Sequence, residues 1–231
     1  HIVHKNYIGG RYSVLSDVGM VPAYLMGINI LKLRQDISFH LKAKNSKFLE
    51  ESVIKLSSIF QTNKLKNLIF FNYIPQLDKF LYWNQQLISE SLGKKGKGYL
   101  PLVSSAPKDH HSLLQLYLDG PKDKLFYIFS LEEQNKIKTN KNFFGKKFNF
   151  LMNKKLSKIK KAQKDAFIKI LKTKNIPYRE FKIKKINEQS LGELFSYFIL
   201  ETIILAKLVN INPFDQPAVE QVKINTKKIL S

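Results

Sequence analysis

The chain contains no cysteine, which excludes disulfide frameworks, thiolate nucleophiles and cysteine-ligated metal sites. Arginine is nearly as scarce: only Arg11, Arg34 and Arg179 stand among 39 Lys+Arg residues, against 18 Asp+Glu, for a formal charge of +21. Such a surplus raises nucleic acid as a partner. The lysines, however, are spread over 42–66, 94–97, 136–185 and 223–228 among Asn, Ile and Phe, whereas groove-reading and phosphate-clamping surfaces favour arginine. A codon bias toward Lys, Asn and Ile explains the charge more simply, so nucleic acid is not expected as a partner. Long apolar runs are also missing. The most apolar span, 195–209, is interrupted by Glu201 and Lys207 and falls short of the about 20 residues that cross a bilayer; it reads as a buried helix, and no membrane association is expected. The opening residues, His1-Ile2-Val3-His4-Lys5, carry neither the basic head nor the apolar run of a signal peptide. A reducing cytoplasm is the simplest compartment.

What is present suits a packed α/β domain: 231 residues, 44% hydrophobic and 12% aromatic. Short apolar runs at 66–73, 98–103 and 125–131 and the alternating 178–183 read as strands. Helical spacing recurs over 48–60, in the segment carrying Glu90, and over 110–118, 156–174, 187–210 and 217–230, with a helix interrupted or restarted near Pro22. Residues 141–149 read as a surface excursion. Strands alternating with helices imply a mostly parallel sheet with helices on both faces. Neither an internal repeat nor an interdomain linker is visible, so one domain is expected. In such folds ligands bind beyond the carboxyl ends of the strands, which directs attention to Arg11, Glu90, His111, Gln216 and Lys223.

Each of these has an ordinary reading beside a chemical one. Gly9-Gly10-Arg11 is a glycine turn that can present backbone N–H groups to an anion, though such turns are usually plain connections. Glu90 lies on the flank of an amphipathic helix in line with Trp83 and Gln86, a dry edge that suits a base taking and returning a proton. On spacing alone, a solvated glutamate paired with Lys94 four residues on is the commoner arrangement. His111 opens a helix, where histidines are usually caps or surface residues, yet it offers a proton shuttle at neutral pH. Its neighbour His110 points about 100° away, so the two make no metal site. Gln216 precedes Pro217 at a helix start, and Lys223, seven residues on, is expected near the same line, with Val219 and Val222 partly desolvating its ammonium.

Four of these motifs, in order, resemble phosphoglucose isomerase. Gly9-Gly10-Arg11-Tyr12-Ser13-Val14-Leu15-Ser16 is similar to that family's glycine-arginine motif, and Gln85-Gln86 through Glu90-Ser91-Leu92-Gly93-Lys94 to its glutamate motif. His111-Ser112-Leu113-Leu114-Gln115-Leu116 resembles its histidine motif; the following Ser-Leu-Leu-Gln favours His111 over His110. Asn212-Pro213-Phe214-Asp215-Gln216-Pro217-Ala218-Val219-Glu220 with Lys223 resembles its C-terminal signature. The resemblance implies a three-layer, flavodoxin-like sugar-isomerase domain with C-terminal helices. It implies interconversion of glucose 6-phosphate and fructose 6-phosphate through a cis-enediolate, in glycolysis and gluconeogenesis, without metal or organic cofactor. Glu90 would shuttle the proton between C1 and C2, and Arg11 would hold charge developing on the enediolate oxygens. His111 and Lys223 would serve ring opening, and Gln216 would contact the substrate phosphate. A homodimer is implied, with His111 reaching the partner's site.

The same resemblance implies a second domain. The family's phosphate-gripping loop, rich in Ser, Lys and Thr, lies upstream of the Gly-Gly-Arg motif, so residues 1–231 are expected to be the C-terminal region of a larger two-domain enzyme, inactive alone. The competing expectation is a non-catalytic sugar-phosphate-binding module of the same fold, which would bind ligand without exchanging its C2 proton.

Overall fold

A 3-10 turn at Gly10–Leu15 leads the chain into α1 (Asp17–Leu25), α2 (Ile30–Arg34) and α3 (Ala43–Thr62) in the computed structural model, which describes residues 2–132, 137–139 and 146–231. There follow β1 (Asn67–Asn72), α4 (Asp78–Leu92), β2 (Leu100–Ser105), α5 (Asp109–Ser112), α6 (Leu114–Asp119) and β3 (Lys124–Leu131). After these come α7 (Leu156–Thr173), β4 (Tyr178–Ile183), α8 (Glu188–Leu208) and α9 (Pro217–Leu230). The chain divides into two compact units. One comprises His1–Lys64, Trp83–Leu100 and Asn187–Ser231, and the other Leu65–Tyr82 and Pro101–Ile186.

The second unit holds a four-stranded parallel sheet in the order β2-β1-β3-β4, as the alternation of strands and helices predicts. β1 pairs with β3 from Asn67 opposite Lys124 to Asn72 opposite Phe129, and β3 with β4 from Phe126 opposite Tyr178 to Leu131 opposite Ile183. Central parallel strands are covered on both faces, which is why 68–71 and 125–129 are apolar without alternation. Ile69, Phe71, Phe126 and Ile128 share the face against Phe167 and Leu171 of α7, all almost fully buried. The edge strand β4 is only half covered; there Phe181 stacks on Phe129 at 4.9 Å, and the Arg179 guanidinium sits 4.8 Å over the Tyr127 ring.

The first unit is helical. The apolar span 195–209 lies within α8 and the residue that follows it, and α8 is not apolar enough to cross a membrane. Its interrupting Glu201 is buried and accepts hydrogen bonds from Ser52 Oγ and the Tyr197 hydroxyl, both at 2.8 Å. Asn187 and Ser190 close a capping box at its start. α8 crosses α2 at Gly192, where a Cβ would lie 1.7 Å from the Leu33 carbonyl oxygen. The obstacle is backbone and cannot rotate away, so Gly192→Ala is expected to cost about 3 kcal/mol in urea unfolding. An unchanged midpoint would mean that the helices separate freely.

Three local expectations change. Pro22 falls inside α1 rather than starting a helix; lacking an N–H, it forgoes the one ladder bond to the Val18 carbonyl. The helix expected over 110–118 is two short helices broken at Leu113 (φ −122°, ψ −11°), because Ser112 Oγ donates back to Asp109 Oδ1 at 2.9 Å and closes the first turn. Of the excursion expected at 141–149, residues 141–145 lie outside the described residues, and 146–149 belong to a 3-10 turn, Lys146–Leu151.

Candidate active site

Within the helical unit the glycine turn places the Arg11 side chain inward, 3% exposed. Tyr12 N–H donates to Gly9 O at 2.9 Å and Ser13 Oγ to Gly10 O at 2.7 Å, which ties the turn around the arginine. All five guanidinium N–H positions are engaged. Nε donates to Ser91 Oγ at 3.0 Å; Nη1 donates to Glu90 Oε2 and to Gln216 Oε1, both at 3.1 Å; Nη2 donates to the carbonyls of Pro213 at 2.6 Å and Asp215 at 3.0 Å. The Trp83 indole N–H in turn donates to the Arg11 carbonyl at 3.0 Å. Glu90 and Ser91, adjacent on α4, therefore grip one guanidinium from two directions.

Glu90 is 27% exposed, and its second oxygen accepts from Gln86 Nε2, one turn earlier, at 3.0 Å. The pairing with Lys94 is not made. Lys94 follows the end of α4 and turns to the C-terminal segment, donating to Asn212 O at 2.5 Å, Asp215 O at 2.7 Å and Asp215 Oδ1 at 2.6 Å. That ammonium holds the Asp215 carboxyl below the usual carboxylate range. Tyr12 completes the cluster, its hydroxyl 2.7 Å from Ser91 Oγ; burial pushes the phenol up, more than Ser91 and Arg11 pull it down, and keeps it neutral. Ser91, Tyr12 and Lys94 carry no chemical signal of their own in the sequence, although Ser91 and Lys94 lie in the same motif as Glu90.

Gln216 caps α9 with non-helical dihedrals (φ −154°, ψ 62°), so the seven-residue spacing does not align it with Lys223. Lys223 is exposed and donates to Glu220 at 2.8 Å rather than to any group around Arg11. Val219 and Val222 are themselves exposed and do not desolvate it, because α9 buries none of its residues.

His111 belongs to the sheet-containing unit, on α5, and is exposed. The turn beneath it is set by the buried Asp109 carboxylate, which accepts from Ser104 Oγ at 2.9 Å, Ser105 N–H at 2.8 Å and Ser112 Oγ. Burial raises the Asp109 carboxyl, but these bonds, with Lys108 nearby, outweigh it and leave it low. His110 is half-buried against the core: its Nε2 is 2.6 Å from the Tyr73 hydroxyl and its ring packs on Phe71 and Phe167. Burial lowers its pKa. The folded state thus binds fewer protons than the unfolded chain just below the ordinary histidine value of about 6.5. The stability this contributes is present above that value and lost as pH falls through the folded pKa. A histidine-resolved NMR titration is expected to place His110 below about 6.5; a midpoint above it would contradict the burial. Among the described residues no group of three or more His, Asp or Glu side chains could hold a metal ion.

The phosphoglucose isomerase family model matches residues 1–231. A probable glucose-6-phosphate isomerase of Methanococcus maripaludis is 33% identical over 95% of this chain and 50% of its own length. The glucose-6-phosphate isomerase of Mycoplasmopsis pulmonis is 34% identical over 96% of this chain and 54% of its own. A crystal structure of a hypothetical protein from Thermus thermophilus superposes with a TM-score of 0.81 at 27% identity, covering 96% of this chain and 55% of the other. The glucose-6-phosphate isomerase of Chlamydia trachomatis shares the fold, with a TM-score of 0.80 at 18% identity, covering 98% and 48% of the two chains. This chain spans about half the length of the relatives it matches.

Proposed function

The chain belongs to the phosphoglucose isomerase family, and we propose on that premise that it forms the C-terminal region of a larger two-domain enzyme interconverting glucose 6-phosphate and fructose 6-phosphate. The observation that carries this reading is the Arg11 Nη1 atom bridging Glu90 Oε2 and Gln216 Oε1, each at 3.1 Å. A carboxylate, a fixed cation and an amide from three remote stretches share one hydrogen-bond shell. Proton transfer between adjacent carbons of an aldose and a ketose needs the first two: a base, and positive charge for the enediolate.

Glu90 takes the proton from one of C1 and C2 and returns it to the other. Its carboxylate offers about four acceptor positions and uses two here, which leaves room for the substrate. Arg11 stabilises the enediolate. Because its N–H groups are all engaged, a substrate oxygen bonds to it only by displacing one of its present partners, and otherwise feels its charge through space. The Gln216 amide nitrogen donates to the substrate phosphate while its oxygen stays on Arg11. Lys223 leaves Glu220 to serve ring opening together with His111, whose exposure supports a homodimer in which it acts in the partner's site. The enzyme works in the cytoplasm, in glycolysis and gluconeogenesis.

The test is solvent exchange. Fructose 6-phosphate incubated in D2O with the protein at the length of its relatives is expected to yield glucose 6-phosphate deuterated at C2. Binding of the sugar phosphate without isotope uptake would instead identify a non-catalytic module.

A further inference from the structure

The sheet-containing unit has a cleft of about 1380 Å³ beyond the carboxyl ends of its strands, bordered by Tyr73 after β1, Ser130 and Leu131 at the end of β3, Lys182 of β4 and one side of α7. Among the described residues, ten of the 22 that line it are lysine, against Glu132, Asp165 and Glu180, a formal +7 among those residues. None of the residues proposed for isomerisation lines it. We infer that this cleft is a binding site for a soluble organic polyphosphate, a small molecule bearing several phosphate groups. The inference does not rest on the isomerase reading.

Two observations separate the cleft from a solvated lysine face. The first is where the charges stand. α7 begins without an acidic residue in its first turn and without a side-chain cap, while Lys154 and Lys158 flank its N-terminus. Cations there oppose the helix dipole, whose positive end favours anions. That placement costs folding free energy, and a bound polyanion offsets it. The second is that, among the described residues, two of the three lining carboxylates are already occupied. Glu180 is bonded by Lys164 and lies 3.5 Å from Lys182, and Asp165 lies 3.2 Å from Lys164 and 3.9 Å from Lys161. They fix the buried Lys164 and are spent on it and its neighbours, so these two carboxylates do not cancel the charge of the other described lining lysines.

The lining chemistry points to phosphate groups on a small scaffold rather than a nucleic-acid strand. Lysine binds phosphate as a point charge, without the planar fork used in reading bases. Among the described residues the lining contains no arginine, and Tyr73 is its single aromatic, so successive bases would find no stacking platform. Several phosphates on one compact molecule reach several lysines at once, which single phosphates cannot do. The volume exceeds that of ordinary small-ligand pockets, roughly 300–1,000 Å³, and suits a hydrated, highly charged guest.

The experiment titrates the protein at the length of its relatives with inositol hexakisphosphate by calorimetry near physiological salt. Saturable binding is expected, weakened roughly tenfold in Lys154→Glu/Lys158→Glu and less than about twofold in the charge-matched control Lys44→Glu/Lys47→Glu on α3. All four lysines are exposed, so circular dichroism is expected to report unchanged folding. No saturable binding, or equal losses in both variants, would overturn the site, the latter assigning the effect to net charge. A single-stranded RNA oligomer that binds more tightly than the polyphosphate, with the same dependence on Lys154 and Lys158, would overturn the small-ligand assignment in favour of nucleic acid.

Discussion

Replacing Glu90 with glutamine, in the protein at the length of its relatives, is expected to lower kcat for fructose 6-phosphate by about 10³-fold while the Michaelis constant changes little. The amide has nearly the shape of the carboxylate. Its oxygen can still accept from Arg11 Nη1, and the fold around α4 has no reason to change, since Leu87, Ile88 and Leu92 hold that helix independently. What disappears is proton affinity: an amide cannot take a proton from carbon at neutral pH. Interactions made only in the transition state appear in kcat, whereas those shared with the ground state appear in the Michaelis constant. Near-normal turnover in Glu90→Gln would remove the carboxylate from the mechanism. A rise in the Michaelis constant at constant kcat would make it a binding group.

Arg11→Lys is expected to cost about 3 kcal/mol in urea unfolding and, at the length of the relatives, to lower kcat by roughly 10²- to 10³-fold. The charge is kept, so a purely electrostatic role would leave turnover nearly intact. The geometry is lost. A lysine offers three donors from one point, where the planar guanidinium spans Ser91, Glu90, Gln216 and the carbonyls of Pro213 and Asp215. Those two carbonyls belong to the segment entering α9, a helix with no buried residue. Arg11 and Lys94 supply much of what ties that segment down, so hydrogen exchange over 212–230 is expected to accelerate in Arg11→Lys. Unchanged protection there would show that Lys94 and Tyr12 suffice. Normal kcat would show that the fork is structural only.

The polyphosphate cleft and the Arg11 cluster share a feature of chemical design. In both, lysine or arginine is partly neutralised by carboxylates that also fix its position, Glu180 and Asp165 for Lys164, Glu90 for Arg11. The difference lies in what remains. Every guanidinium donor of Arg11 is spent within the protein, which gives a rigid site with one carboxylate turned partly outward. In the cleft the charge stays in excess, which suits a guest that brings its own negative charge.

Local pattern determined the elements. Continuous apolar runs made 68–71 and 125–129 central strands, because a strand covered on both faces has no polar side to alternate with. Helical periodicity placed α7, α8 and α9 within a residue or two of their observed ends, and the order of four short motifs determined the family. Tertiary structure decided the partners. Glu90 and Lys94 stand one turn apart, a spacing that predicts an ion pair, yet Lys94 goes to Asp215 and Glu90 to Arg11, 79 residues away. Adjacent His110 and His111 differ in which ring meets Phe71 and Phe167. Gly192 looks dispensable in a helix until α2 presses a carbonyl against it. Periodicity reports which face of an element is buried. Which charge meets which across the chain depends on where each element's end arrives, and that is set by the packing of the whole.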